Sequence, residues 1–271
     1  MPSPPDPVAP AAPPPPAALR ARLHAALQAV AEAAPDALPE ALRALALPDC
    51  RWRVACPIDE LDGTAAAAAT AFGPLKRACP DLERRDLILL AGHFEGRTFL
   101  GAMGHYVGTM ERHWLGIPAT RRTLWLRYGE VYRLGDDGRA VEAWLLWDVL
   151  DAMRQAGVWP LAPALGVETT WPAPFTGDGL RLAPADPAQS AASLAQTLAM
   201  QRTLAEHDDR ALSREGLLAM PQRAHWHPKM MWYGPAGIGT TRGLAGFVDG
   251  HQLPFRTAFH RPQGSLAEVE A

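Results

Sequence analysis

The sequence predicts an α+β protein built from two copies of one small helix-and-curved-sheet unit, the second copy incomplete. Three observations carry this reading. Helix-period patterns come first, strand-like segments in antiparallel style follow, and beyond a stretch rich in Pro and Gly the same order of elements begins again.

Taken in order, residues 1–18 are almost wholly Pro, Ala and Ser, too poor in core-forming side chains to pack, and are expected to be a disordered leader. Leu19, Leu23, Leu27 and Val30 recur at helical spacing, and a second helix is expected around Leu42, after Pro35 and Pro39. Residues 51–58 alternate as a strand, and Asp62-Gly-Thr opens an alanine-rich helix that runs to about Cys79. Three strands are expected at 86–94, 98–110 and 123–134, and Gly135-Asp-Asp-Gly138 then turns the chain into a fourth at 140–148. A short helix follows, closed by Gly157 and Pro160. The first domain is thus assigned to 19–165, a linker to 166–188 and an incomplete second unit to 189–271.

The repeat is visible in residues. The stretch 52–57, followed by Pro74-Leu-Lys-Arg-Ala-Cys79, parallels 230–235 followed by Pro254-Phe-Arg-Thr-Ala-Phe259, with spacers that differ by two residues. After Phe259 only 12 residues remain, where the first unit continues into its strands.

Composition bounds the function. Of the 271 residues, 48% are hydrophobic and 20% charged, which places the chain in the globular class. A net charge of -3 with mixed signs gives no electrostatic reason to expect nucleic acid or an anionic membrane as partner. Three cysteines, an odd number without zinc spacing, suit a reducing compartment and small buried hydrophobes, and no signal segment is seen, so a cytoplasmic protein is expected. His225 and His227 form a pair without a third ligand, so no metal and no cofactor are expected.

The run from Ala224 to Gly239 with 243–259, and in the first unit Gly129-Glu-Val-Tyr-Arg133, Asp137-Gly138 and Val141 to Gly157, resemble SnoaL-like polyketide or ester cyclases of the nuclear transport factor 2-like superfamily. The resemblance implies a cone of curved antiparallel sheet closed by helices around an apolar pocket. It also implies a pocket aspartate within a His-Trp-Asp run on the last strand. The matching run here reads Ala143-Trp144-Leu145, so both polar members are replaced.

Acid/base work would then fall to other residues. Glu130 shares a strand face with Tyr128 and Tyr132 and could be a pocket base, or else a solvated strand residue. Asp148 precedes the closing helix and reads as an N-cap more readily than as an acid. His93 and His105 fall on neighbouring strands and could approach across the sheet to relay a proton. Trp125, Tyr128, Trp144 and Tyr106 are the expected substrate-lining aromatics. Two functions remain open: acid/base chemistry on a small apolar carbonyl or ester metabolite, or a non-catalytic ligand-binding or dimerisation module, with homo-oligomerisation an option for either.

Overall fold

The computed structural model describes residues 17–159, 161–168, 171–205 and 213–259; most of the expected leader and the polar tail 263–271 lie outside them. The chain divides into two compact units, Met1–Trp159 with Pro172–Ser190, and Pro160–Trp171 with Ala191–Ala271.

In the first unit, helix α1 (Ala17–Glu32) buries Leu23, Leu27 and Val30, as their spacing predicts. Helix α2 (Leu38–Leu45) starts with Pro39 in its first turn, where the missing N–H is no loss. Strand β1 (Ala46–Val54) lies earlier than expected, because the chain turns at Asp59 (φ 61°) and returns as the three-residue strand β2 (Glu60–Asp62), too short to show a period in sequence. Gly63 (φ 84°) then swings the chain into α3 (Thr64–Ala67), a π-helical segment Ala68–Phe72, and α4 (Gly73–Ala78). Ala67, Ala71 and Leu75 are fully buried along this helical run. Phe72 meets Trp52 and Trp147 edge-on at 5.8 and 5.2 Å, which seats the run on the sheet.

Strands β3 (Glu83–Phe94), β4 (Arg97–Thr109), β5 (Thr123–Leu134) and β6 (Ala140–Trp147) complete a six-stranded sheet of order β2-β1-β6-β5-β4-β3. Every pairing is antiparallel except β1 with β6. Between Asp86 and Ile88 the β3–β4 register shifts, leaving Leu87 as a bulge. Helix α5 (Val149–Gln155) folds back against β5, and the Gln155 amide bonds both the N–H and the carbonyl of Trp125.

Part of the expected linker is structural. Residues 172–190 belong to the first unit and run along the free edge of β3: the Leu89 N–H donates to the Gly179 carbonyl, and the Arg181 N–H donates to the Leu89 carbonyl, each at 2.9 Å. Arg20 of α1, 2% exposed, donates to the carbonyls of Arg181 and Ala183. An unpaired edge strand is a template for aggregation, and this strap covers it. Its Pro and Gly content, which suggests a tether in sequence, suits a segment that pairs through only a few backbone groups.

The second unit contains most of helix α6 (Pro187–Ala205), then α7 (Arg214–Leu218), strands β7 (Met231–Trp232) and β8 (Thr241–Arg242), α8 (Gly243–Phe247), a π-helical segment Val248–Gln252 and α9 (Leu253–Ala258). Ser213 caps α7 by accepting from the Gly216 N–H at 3.0 Å. Leu217, Met220, Phe247 and Val248 form a small core. The pair Trp232 with Thr241 has the spacing of Trp52 with Leu61, and Gly243 (φ 65°) stands where Gly63 stands, again before an α–π–α run. Pro74 follows Trp52 at the same separation as Pro254 follows Trp232. His225 and His227 follow a 3₁₀ turn (Pro221–Ala224).

Candidate functional site

Alternation along β5 sends Leu126, Tyr128, Glu130 and Tyr132 to the face that the helices cover, as read from the sequence for the last three. The surroundings of Glu130 were not legible there. The carboxylate is 2% exposed and accepts four bonds: at Oε1 from the Tyr106 hydroxyl (3.1 Å) and the Trp147 indole (2.9 Å), at Oε2 from Arg84 (2.7 Å) and the Tyr132 hydroxyl (2.8 Å). A carboxylate offers about four lone-pair sites, so none is left to take a proton from a substrate. Burial opposes the Arg84 charge, but Glu130, the tyrosines and Asp86 hold the guanidinium firmly protonated. Burial, reinforced by Glu130, raises the phenols of Tyr106, Tyr128 and Tyr132, with Asp86 adding to the effect at Tyr106 and Tyr128, so all three stay donors.

Asp86 extends the network outward. Its Oδ1 accepts from Tyr128 (2.6 Å) and Arg84 (3.0 Å), and the Arg84 guanidinium lies 4.1 Å over the Tyr128 ring. Its Oδ2 faces α1, where Gln28 donates at 2.9 Å and His24 Nε2 lies at 3.3 Å. Arg20, His24 and Gln28 recur every four residues, forming a polar stripe on α1 turned to β3 and its strap. The Asp86 side chain is fully buried, whereas that of His24 keeps 23% of its surface exposed. Gln28 Nε2 also lies 3.4 Å from His24 Nε2. A neutral His24 can accept from Gln28 there, and a protonated one can donate to Asp86, so both charge states have a partner.

The remaining candidates lie elsewhere. Asp148 caps α5, accepting from the Asp151 N–H at 3.0 Å, and pairs with Arg127 at 2.6 Å; Arg127 alternates with Glu130, so the two acids belong to opposite faces of the sheet. Burial raises the neighbouring Asp151 carboxyl, although Arg127 opposes this. His105 pairs in register with Arg127 and stands edge-on to Trp125 at 5.7 Å, while His93 sits at the far end of the β3–β4 hairpin bonded to Thr98, so the two imidazoles do not approach. Burial, and then Arg127, lower the His105 pKa to about 4, leaving a neutral ring. Trp125 and Trp144 lie on the Arg127 face under Arg85 and Arg53, at 5.8 and 5.3 Å, whereas Tyr106 and Tyr128 lie on the Glu130 face. The eight residues singled out from sequence therefore do not converge on one site.

Sequence reasoning missed His24, Asp86 and Arg84. Spacing could have flagged the stripe Arg20, His24, Gln28, but its partner on β3 comes from packing. Cys56 is exposed, against the buried position expected of it, because it lies in the turn after β1; Cys50 and Cys79 are buried, which pushes both thiols up to about 12.

A curved, unclosed six-stranded sheet with helices packed on it defines an α+β protein. Among solved structures the chain is similar to a SnoaL-like candidate polyketide cyclase from Jannaschia sp. CCS1 (19% identity over 52% of this chain and 94% of that one, TM-score 0.40). It is similar also to TsrD from Streptomyces laurentii (20%, 52% and 96%, 0.42) and to IdmH, a candidate polyketide cyclase from Streptomyces antibioticus (19%, 51% and 99%, 0.40). No family model and no curated protein matches the sequence.

Proposed function

We propose that the first unit binds a small apolar carbonyl- or ester-bearing metabolite beside α1 and β3 and transfers a proton on it through His24, with Asp86 as the orienting carboxylate. The observation that carries this is the contact of His24 with Asp86 at 3.3 Å, where a fully buried carboxylate faces an imidazole that still reaches solvent. Glu130 becomes the inner anchor: it holds Arg84, and Arg84 holds Asp86. We further infer that the β7–β8 and α8–α9 portion is a duplicate of the β1–α4 portion, on the strength of its matching register.

The second reading, a non-catalytic binding module, is favoured by the saturation of Glu130. Deuterium exchange at the carbon next to the carbonyl of a panel of aryl ketones, followed by proton NMR, separates the two. The enzyme reading expects exchange that His24→Gln abolishes while the fold is retained. Exchange indifferent to His24→Gln would overturn it, and a ligand captured in native mass spectrometry but never exchanged would favour the binding module.

A further inference from the structure

Away from the Glu130 network, the turn between α1 and α2 and the C-terminal end of α4 enclose a cleft of about 330 Å³. Its lining includes Glu32, Pro35, Lys76, Arg77, Pro80 and Arg112, that is, three cations and one carboxylate on a wall partly of proline. That volume is at the lower end of the range typical of small-molecule sites, about 300–1,000 Å³.

The three cations differ in what they already do. Lys76, 5% exposed, donates to the Ala31 carbonyl in the last turn of α1, and burial lowers its pKa although Glu32 and Asp81 favour its charge. Lys76 therefore has a structural task. Arg112 is placed by its backbone, whose N–H donates to the Ala78 carbonyl at 3.2 Å, and by a long bond of 3.4 Å from Nη1 to the Arg77 carbonyl. Among the described residues neither Arg77 nor Arg112 joins an ion pair, although Arg43, Arg53, Arg85 and Arg133 on the same unit each do. Two guanidiniums without a carboxylate thus line one concave surface, next to an ammonium that Glu32 partly balances.

We propose that this cleft binds a small organic anion, a compact carboxylate or phosphate ester, with its acidic group between Arg77 and Arg112 and its carbon body against Pro35 and Pro80. Guanidinium forks match the planar oxygen pairs of such groups and can bind them bidentately. The prolines supply an apolar wall that a bare inorganic ion would not use. Glu32, in the same lining, opposes ligands of high negative charge by repulsion.

The test is titration of the full chain with benzoate, acetate, phenyl phosphate and inorganic phosphate, followed by amide NMR and calorimetry at low salt. Saturable shifts around Arg77 and Arg112 are expected, with each aromatic probe binding tighter than its bare counterpart and all weakening as salt rises. Arg77→Gln and Arg112→Gln, both at exposed positions, are expected to keep the melting temperature and to weaken binding at least about tenfold each. Arg43→Gln, in a surface pair with Glu40, and His24→Gln should leave binding unchanged, which separates this site from the proposed proton-transfer site. Absence of saturable shifts at millimolar probe, or binding indifferent to both cleft substitutions, overturns the proposal.

Discussion

Arg84 lies 2.7 Å from Glu130 with neither side chain exposed to solvent, so the charge of one is balanced by the other inside the core. A buried pair is a poor source of net stability, yet removal of one partner strands the other charge and costs about 3–5 kcal/mol. Glu130→Leu and Arg84→Met should each destabilise the protein by roughly that amount in urea unfolding. The double substitution is expected to cost less than the sum of the two, and strict additivity would show that the pair is not coupled.

His105 sets a pH dependence. Its pKa is about 4 in the folded protein and near 6.5 when unfolded. The unfolded chain therefore binds the extra proton between those values, so stability falls as pH drops from about 6.5 to about 4, by at most about 3 kcal/mol. Chemical denaturation across that window should show the decline, and His105→Gln should flatten it. A variant with the parent's slope would assign the effect to other groups.

The strap along β3 is testable through its glycine. A Cβ on Gly179 would come within 2.1 Å of the Leu87 carbonyl oxygen, so Gly179→Ala must push the strap off the edge strand. A loss of about 1–3 kcal/mol is expected, with faster hydrogen exchange at the Leu89 and Arg181 amides. A fragment ending at residue 190 should unfold cooperatively, and one ending at 165 should melt lower and aggregate more readily, because it bares the β3 edge.

Cysteine reactivity should follow burial. Cys50 and Cys79 are buried with thiols raised to about 12, while Cys56 is exposed. Native protein treated with iodoacetamide near neutral pH is expected to gain one adduct, at Cys56, by peptide mass mapping. Rapid modification of all three would mean that the core opens on the timescale of labelling.

Much of the fold was legible in the chain. The period of Leu23, Leu27 and Val30, the Gly135–Gly138 turn and the alternation through 123–134 follow from local geometry, since spacing alone fixes which side chains share a face. That Glu130 shares its face with Tyr128 and Tyr132 was readable for the same reason. The β7–β8 pair of the second unit was not legible, because two residues a side are too few to show a period, and only hydrogen bonding fixes Trp232 opposite Thr241.

The sequence by itself determined the α+β class of fold and the order of its longer elements. Tertiary structure decided what the charged residues do. Arg84, Asp86 and Glu130 lie far apart in the chain or on strands whose local pattern is silent about partners. Only packing of β3 beside β4, and of β4 beside β5, under α1, joins them to His24. Which carboxylate is locked and which reaches an exposed imidazole depends on distances of about 3 Å across elements, and no periodicity in a single chain encodes those.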